Sequence, residues 1–253
     1  MIVVSFISQK GGTGKTSTAL NLAVEALAYG LEVVVIDLDP QGNATSGLGV
    51  TDPVLTSGDV LFANQTGVAL EAVVASTWDC VSVIPATLSL AQRDNDTQLG
   101  AEMRLKKALD SPDLDAKFGL VLIDCQPSIG KLVSNALIAA SGALIVTEPS
   151  IDASSGVANT LTTVETVREH YNQDLSVLGV IVNKVPARSR EADFRTAEIT
   201  DALGEQVWRP FLPLRAVMPE ARGSRQPIHS YGRRSSDLTT IFDTYLTALM
   251  LSC

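Results

Sequence analysis

The stretch that decides the fold of this chain lies near its start and reads, over residues 9–16, Gln-Lys-Gly-Gly-Thr-Gly-Lys-Thr. The usual phosphate-binding loop, or P-loop, has a glycine, any four residues and then Gly-Lys-Ser/Thr. Here Gln9 stands where the first glycine is expected, and Lys10 adds a second lysine. The three glycines still allow the left-handed backbone that turns several N–H groups toward one phosphate. The stretch therefore predicts a P-loop with one extra cation.

The residues on either side of the loop fit this prediction. Ile2–Ile7 is a mostly apolar run typical of a buried parallel strand, and Ser17–Tyr29 has helical composition. A helix that begins under the phosphates adds the positive end of its dipole. Lys15 is expected to reach the β- and γ-phosphates, and the Thr16 hydroxyl to bind Mg²⁺. The alternative, a glycine-rich turn with chance lysines, is disfavoured by the strand–loop–helix order.

Apolar strand-like runs alternate with helical stretches, which predicts a doubly wound, mostly parallel α/β sheet flanked by helices. The other predicted strands are Glu32–Asp37, Val81–Ile84, Gly119–Asp124, Ala143–Glu148 and Ser176–Asn183. The other predicted helices are Leu99–Leu109, Leu132–Ala140, Ala153–His170 and Glu191–Leu203. No repeat or long linker divides them, so residues 1–253 are expected to form a single domain without an N-terminal helix-turn-helix domain.

The composition favours a compact cytosolic protein. The net charge is −9 and no run approaches eighteen apolar residues, so neither a membrane span nor a signal peptide is expected. Cys80, Cys125 and Cys253 are scattered and form no Cys-x-x-Cys pair. They argue against a disulfide framework and against a zinc or iron–sulfur site.

Two further motifs end predicted strands, where the ligands of such sheets bind. Residues 33–43 read Val-Val-Val-Ile-Asp-Leu-Asp-Pro-Gln-Gly-Asn, so Asp37 and Asp39 point the same way in an extended chain. One acid holding the metal's water shell and the other aligning the attacking water is the economical assignment, and two loop-capping aspartates are the alternative. Residues 118–124, Phe-Gly-Leu-Val-Leu-Ile-Asp, place Asp124 where a Walker B acid would serve Mg²⁺.

Together these motifs resemble the ParA/MinD family of ATPases with a deviant Walker A box, over essentially the whole chain. The matching segments are residues 10–16, the run Asp-Leu-Asp-Pro-Gln-Gly-Asn-Ala-Thr-Ser-Gly-Leu-Gly at 37–49, and the Asp124 segment. The run at 37–49 looks like the chromosome and plasmid partition ParA branch rather than the MinD branch. The resemblance implies a P-loop ATPase that hydrolyses ATP to ADP and phosphate with Mg²⁺.

The resemblance also implies roles for single residues. Lys10 would be the signature lysine that reaches across an ATP-sandwiched homodimer to the partner's phosphates, while Lys15 and Asp39 would complete the catalytic set. A cation acting in trans also avoids the repulsion that two lysines on the same phosphates would suffer. The implied Mg²⁺ ligands are Thr16, Asp37 and Asp124. The implied ATP-binding residues are Lys10, Gly11, Gly12, Thr13, Gly14, Lys15, Thr16, Ser17, Asn183 and Pro213.

Asn183 and Pro213 are expected near the adenine base, and two other residues depart from the family pattern. Asn183 ends a strand-like run, where its amide would read the adenine edge or simply cap a turn. Pro213 aligns with a family proline whose neighbouring backbone lies against the base. Gln126 stands where partition proteins usually show a second proline, and Val217 replaces an arginine of a segment that helps to hold DNA.

A basic segment on this acidic chain indicates an anion-binding face. Residues 206–234 hold six arginines and one acid, a local charge of +5. Such a face would bind DNA in a salt-dependent, sequence-independent way, and solvated arginines with helix-end ion pairs are the alternative. The candidate DNA contacts are Arg188, Arg190, Arg215, Arg222 and Arg225.

The C-terminal residues distinguish a packed helix from a membrane-targeting one. Apolar residues recur there at helical spacing, and residues 237–253 carry only Asp237 and Asp243 as charges. A membrane-surface helix would need Lys or Arg on its polar face, so we expect a helix packed on the domain and no membrane partner.

Three functions remain open. The leading expectation is a cytoplasmic, nucleoid-associated partition ATPase, whose ATP-bound dimers bind DNA non-specifically and are released when a ParB-like centromere-binding partner stimulates hydrolysis. It would segregate plasmid or chromosomal DNA. The second is a ParA-like positioning ATPase for a carboxysome or a chemoreceptor cluster. The third is a metabolic or iron–sulfur-carrier ATPase, and the lack of a paired-cysteine motif counts against the carrier.

Overall fold

A seven-stranded sheet forms the centre of the computed structural model, which describes residues 1–252. The strands are β1 Ile2–Ile7, β2 Val33–Leu38, β3 Val74–Ala75, β4 Val81–Ile84, β5 Leu120–Cys125, β6 Gly142–Thr147 and β7 Ser176–Val182. Their order is β3-β4-β2-β5-β1-β6-β7, with β3 antiparallel to β4 and the other pairs parallel. The predicted doubly wound, mostly parallel α/β fold is confirmed.

Helices lie on both faces of this sheet. They are α1 Lys15–Glu25, α2 Asn43–Gly47, α3 Ser57–Ala63, α4 Ala91–Asp94, α5 Arg104–Leu109, α6 Pro112–Lys117, α7 Lys131–Ala139, α8 Ala153–His170, α9 Arg190–Leu203, α10 Val217–Gly223 and α11 Ser236–Ser252. The predicted helix Leu99–Leu109 is instead a 3-10 turn at Ala101–Met103 followed by α5. Gly100, with φ 75°, interrupts it.

The register of the central strands places the site. Strand β1 lies between β5 and β6, so the loop after Ile7 opens at the carboxyl edge of the sheet. On the neighbouring strands, Asp37 of β2 is the direct partner of Asp124 of β5. The P-loop and both acids therefore meet at one edge, where ligands of doubly wound sheets bind.

Apolar side chains on the α1 face of the sheet also hold the C-terminal helix. Phe6 and Leu22 are buried there together with Phe242 and Tyr245 of α11. Burying a side chain of this size contributes about 1.5–3 kcal/mol. The predicted packing of α11 is thus confirmed, while Cys253 lies outside the described residues. Within residues 1–252 no helix is both long and apolar enough to span a bilayer.

Candidate nucleotide-binding site

The P-loop joins β1 to α1 in the conformation that its glycines allow. Gly12 has φ 79° and Gly14 has φ 92°, and both angles favour glycine. A Cβ on Gly14 would clash with the side-chain nitrogen of Asn183, so the close approach of the two segments also favours glycine. The first turn of α1 begins directly after this point.

A cavity of about 710 Å³ opens beside the loop, a size typical of small-molecule sites. The loop, the segment after β2 and the segment around α10 form its walls. The lining residues are Gly12, Gly14, Lys15, Thr16, Ser17, Asp39, Gln41, Asn43, Pro127, Asn183, Lys184, Pro213, Leu214, Arg215, Ala216, Met218, Pro219 and Arg222. The structure thus brings together most of the residues expected to bind ATP, although Lys10, Gly11 and Thr13 do not line this cavity.

Lys15 is the buried cation of the cavity. Its side chain is 6% exposed, and burial lowers the pKa of its ammonium group, although the nearby Asp124, Cys125 and Asp39 oppose that shift. A buried ammonium group gains most from an anion that replaces its lost water. Its place under the glycine backbone suits a phosphate.

Asp124 faces the first turn of α1. Its Oδ2 accepts a hydrogen bond of 2.7 Å from the Thr16 hydroxyl, whereas its buried Oδ1 has no partner among residues 1–252. Burial, reinforced by Asp37, raises the pKa of Asp124 to about 7. An unpartnered buried carboxylate oxygen beside a threonine hydroxyl fits a hard cation such as Mg²⁺. Among the described residues no group of three or more His, Cys, Asp or Glu side chains is placed to hold a metal ion, so further ligands would come from bound phosphate and water.

Both carboxylate oxygens of Asp37 accept hydrogen bonds from residues of the loop that follows it. Its Oδ1 accepts the Asp39 N–H at 3.1 Å, and its Oδ2 accepts the Thr45 N–H at 2.8 Å and the Thr45 hydroxyl at 2.7 Å. Burial raises its pKa to about 6 despite these bonds. Asp37 therefore orders the loop that carries Asp39, and its predicted metal contact stays a prediction. Sequence reasoning missed Thr45, since nothing local marks a threonine eight residues away as its partner.

Asp39 lies at the cavity wall just beyond the end of β2. It is 7% exposed, and its Oδ1 accepts the Gln41 N–H at 2.9 Å. This bond fixes the carboxylate facing the cavity, which is compatible with the expected alignment of a water molecule.

Lys10 does not line the cavity that holds Lys15. Its Nζ lies 2.6 Å from Glu148 Oε1 and 3.5 Å from Ser150 Oγ, and its side chain is 51% exposed. The second oxygen of Glu148 lies 3.9 Å from the Lys184 ammonium nitrogen. Glu148 and Lys184 were not predicted as site residues, although Glu148 is an acid directly after a strand, like Asp39.

Asn183, directly after β7, is hydrogen-bonded to the P-loop. Its Nδ2 donates to the Thr13 carbonyl at 2.8 Å, and its Oδ1 accepts the Lys184 N–H at 2.8 Å. Lys184 in turn donates to the Gly12 carbonyl. Asn183 lines the cavity, so its expected contact with adenine stays a prediction, with an anchoring role beside it.

The candidate DNA arginines fall in different places. Arg215 lines the nucleotide cavity and pairs with Asp237 at 2.6 Å. Arg222 also lines the cavity and donates to Asn43 Oδ1 at 2.6 Å. The backbone carbonyl of Arg225 accepts the Trp78 indole N–H at 3.0 Å, and Arg188 and Arg190 lie at the start of α9.

The two departures from the family pattern have clear structural places. Gln126 donates to Asp94 Oδ2 at 3.0 Å, which ties the segment after Asp124 to α4. Val217 is 4% exposed and packs in the core, so it is not available for a surface contact.

Comparisons with known proteins agree with this geometry. The family model described as an AAA domain, AAA_31, matches residues 1–177. The chain is 33% identical to the sporulation initiation inhibitor protein Soj of Bacillus subtilis over 246 residues, 95% of each chain. It is 36% identical to the chromosome-partitioning ATPase Soj of Thermus thermophilus over 218 residues, which cover 86% of this chain and 83% of that one.

A solved structure is similar over nearly the full length. It is that of cobyrinic acid a,c-diamide synthase from Mycobacterium smegmatis with bound ATP analogue and magnesium. The TM-score is 0.82 at 27% identity, and the match covers 99% of this chain and 94% of that one.

Proposed function

The chain belongs to the AAA_31 family of ParA/MinD-type ATPases and is a partition-type ATPase, and we propose that ATP times both its dimerisation and its binding to DNA. In this proposal the ATP-bound homodimer binds nucleoid DNA without sequence preference. A ParB-like partner stimulates hydrolysis and releases the protein, so that plasmid or chromosomal DNA is segregated. The higher identity to two Soj proteins than to the diamide synthase favours partition over a metabolic role.

The observation that carries the proposal is the separation of the two P-loop lysines. Lys15 is buried in the cavity, whereas Lys10 is half-exposed and paired with Glu148 outside it. A nucleotide bound by Lys15 would leave Lys10 free to serve a second subunit. Dimerisation would then depend on the nucleotide.

Nucleotide binding in this proposal uses the loop backbone and Lys15 for the phosphates. The contributing residues are Gly11, Gly12, Thr13, Gly14, Thr16 and Ser17, with Asn183 and Pro213 on the base side. Mg²⁺, when bound, neutralises charge on the phosphate oxygens. Thr16 and Asp124 would hold it, supported by the unpartnered Asp124 Oδ1 and by the magnesium in the similar diamide synthase structure.

Hydrolysis requires a positioned water and a charge to stabilise the transition state. Asp39 is the only acid on the cavity wall among residues 1–252, and it would orient the attacking water. Lys10 from the second subunit would act as an arginine finger does, a device worth roughly 10³–10⁵ in rate.

DNA binding would follow from charge and from dimerisation. Arg188 and Arg190 near α9, with arginines of residues 206–234, would neutralise DNA phosphates, and each neutralised phosphate steepens the salt dependence. A dimer doubles this face, so avidity would rise when ATP is bound.

The experiment that tests the proposal replaces Lys10. Lys10→Ala should still bind ATP through Lys15 but should lose ATP-dependent dimerisation by light scattering and lose stimulated hydrolysis. Lys106→Ala, which changes an exposed lysine on α5, is the matched control and should dimerise normally. Dimerisation of Lys10→Ala with ATP would refute the role.

A further inference from the structure

Arg222 lies where the nucleotide cavity meets the first turn of α1. A smaller cavity adjoins the main one and extends along α1 beneath α10. Both are lined by Thr16, Ser17, Asn43, Met218 and Arg222. Arg222 therefore shares its cavity walls with the N-terminal turn of α1, where phosphate oxygens bind in a P-loop.

The charge of Arg222 is not neutralised by the protein. Its Nη2 donates to the amide oxygen of Asn43 at 2.6 Å, and no carboxylate within residues 1–252 lies at salt-bridge distance. Its neighbours differ, because Arg215 pairs with Asp237 and Arg234 pairs with Glu220, each at 2.6 Å. A guanidinium group bonded to a neutral amide gains more from a phosphate oxygen, because that hydrogen bond is charge-assisted on both sides.

The partner of Arg222 is itself held firmly. Asn43 begins α2, two residues before Thr45, whose backbone and hydroxyl both donate to Asp37. The Thr45 hydroxyl also accepts the Ala86 N–H at 2.8 Å. The Asn43 acceptor holds the exposed Arg222 side chain against α2 at the wall of the nucleotide cavity.

Building on the proposed function, we propose that Arg222 is a nucleotide-positioning residue that binds phosphate oxygens next to the first turn of α1. When nucleotide binds, the guanidinium group would give up its hydrogen bond to the Asn43 amide and donate to a phosphate oxygen instead. Because α10 carries Arg222, the nucleotide would draw the α10 wall and the P-loop together. The role of Arg222 is then in the nucleotide site rather than on the DNA face.

The test measures the binding of Mg-ATP, Mg-ADP and Mg-tripolyphosphate to the full chain in the absence of DNA. Arg222→Ala should bind all three roughly ten- to a hundredfold more weakly than the unaltered protein. The affinity of Arg222→Lys should lie between those of Arg222→Ala and the unaltered protein, since lysine keeps the charge and loses the planar fork of donors. Arg234→Ala, which breaks an ion pair of α10 outside the cavity, is the matched control and should bind normally.

Thermal unfolding without nucleotide guards against a merely structural explanation. The Tm of Arg222→Ala should match that of the unaltered protein, whereas a lost nucleotide affinity accompanied by a lowered Tm would overturn the inference. A loss for ATP and ADP but not for tripolyphosphate would overturn the phosphate assignment. Unchanged nucleotide affinity with weaker DNA binding would place Arg222 on the DNA face instead. If the unaltered protein binds no ATP, the proposed function itself fails.

Discussion

Lys10 and Glu148 form an ion pair of 2.6 Å, which holds the first P-loop lysine outside the cavity that the buried Lys15 lines. The two lysines are five positions apart in the sequence, yet only one lines the nucleotide cavity. For Lys10 to contact the phosphates of a second subunit, it must leave Glu148. Nucleotide-dependent dimerisation therefore competes with a contact inside one subunit.

Glu148→Gln should make dimerisation easier. The substitution removes the charge that retains Lys10, so the ATP concentration at half-maximal dimerisation should fall about two- to fivefold, as expected for a largely exposed ion pair. Light scattering during an ATP titration measures it, and Glu165→Gln on α8, which breaks an exposed pair with Arg168, serves as control. A higher ATP requirement in Glu148→Gln would contradict the competition.

Asp39→Ala should separate ATP binding from ATP hydrolysis. The carboxylate lies on the cavity wall and holds no part of the P-loop, so ATP affinity should be kept while turnover falls at least a hundredfold. The dimer should then persist with ATP. Phosphate release measures the turnover, and light scattering on the same sample measures the dimer. Unaltered turnover in Asp39→Ala would remove Asp39 from the mechanism.

The response to Mg-ATP should depend on pH. Burial raises the pKa of Asp124 to about 7 and that of Asp37 to about 6, above the ordinary 3.8. Without nucleotide the folded protein keeps these protons where the unfolded chain has lost them, so its free energy of unfolding should fall as the pH rises from about 4 to about 7. Mg²⁺ competes with the Asp124 proton, so the gain in Tm from Mg-ATP should be larger at pH 8 than at pH 6.

Thermal unfolding with and without Mg-ATP at the two pH values measures this effect. In Asp124→Asn the gain in Tm from Mg-ATP should be small at both pH values. Asp115 is an exposed acid of α6, and Asp115→Asn should behave like the unaltered protein. Equal gains at pH 6 and pH 8 in the unaltered protein would show that Asp124 is ionised throughout.

Asp94, which lies on α4, should stabilise the segment after β5 through two direct hydrogen bonds. Helix α7 follows Gly130, which has no side chain to cap it, and Asp94 Oδ1 accepts the Leu132 N–H at 3.0 Å instead. Its other oxygen accepts the Gln126 amide at 3.0 Å. Asp94→Ala should lower the free energy of unfolding by about 1–3 kcal/mol, because two donors lose their acceptor. Urea unfolding should show no such loss for Asp174→Ala, in an exposed loop.

The parts of this site that are local in sequence could be predicted, and the parts that depend on distant contacts could not. The P-loop glycines, the acids after β2 and β5, and the ends of α8 follow from spacing and periodicity. The contact of Asn183 with Thr13 joins residues 170 positions apart, and that of Arg222 with Asn43 joins residues 179 apart. No periodicity encodes such pairs. For this reason the sequence predicts Arg222 only as a DNA contact, and its place on the cavity wall is seen only in the structure.

Short elements were missed for a related reason. Strand β3 has two residues and α2 has five, too few for a periodic pattern. Helix α2 exists because Asp37 binds the backbone and side chain of Thr45, a tertiary constraint rather than a helical propensity.

The central claim is that ATP controls the attachment of this protein to DNA, and DNA co-sedimentation with ATP, with ADP and without nucleotide tests it most directly. The unaltered protein should sediment with non-specific DNA only in the presence of ATP, and the bound fraction should fall as salt is raised between two concentrations. Lys10→Ala should stay in the supernatant under every condition. DNA binding that is absent, or equal in all three nucleotide states, would contradict the claim.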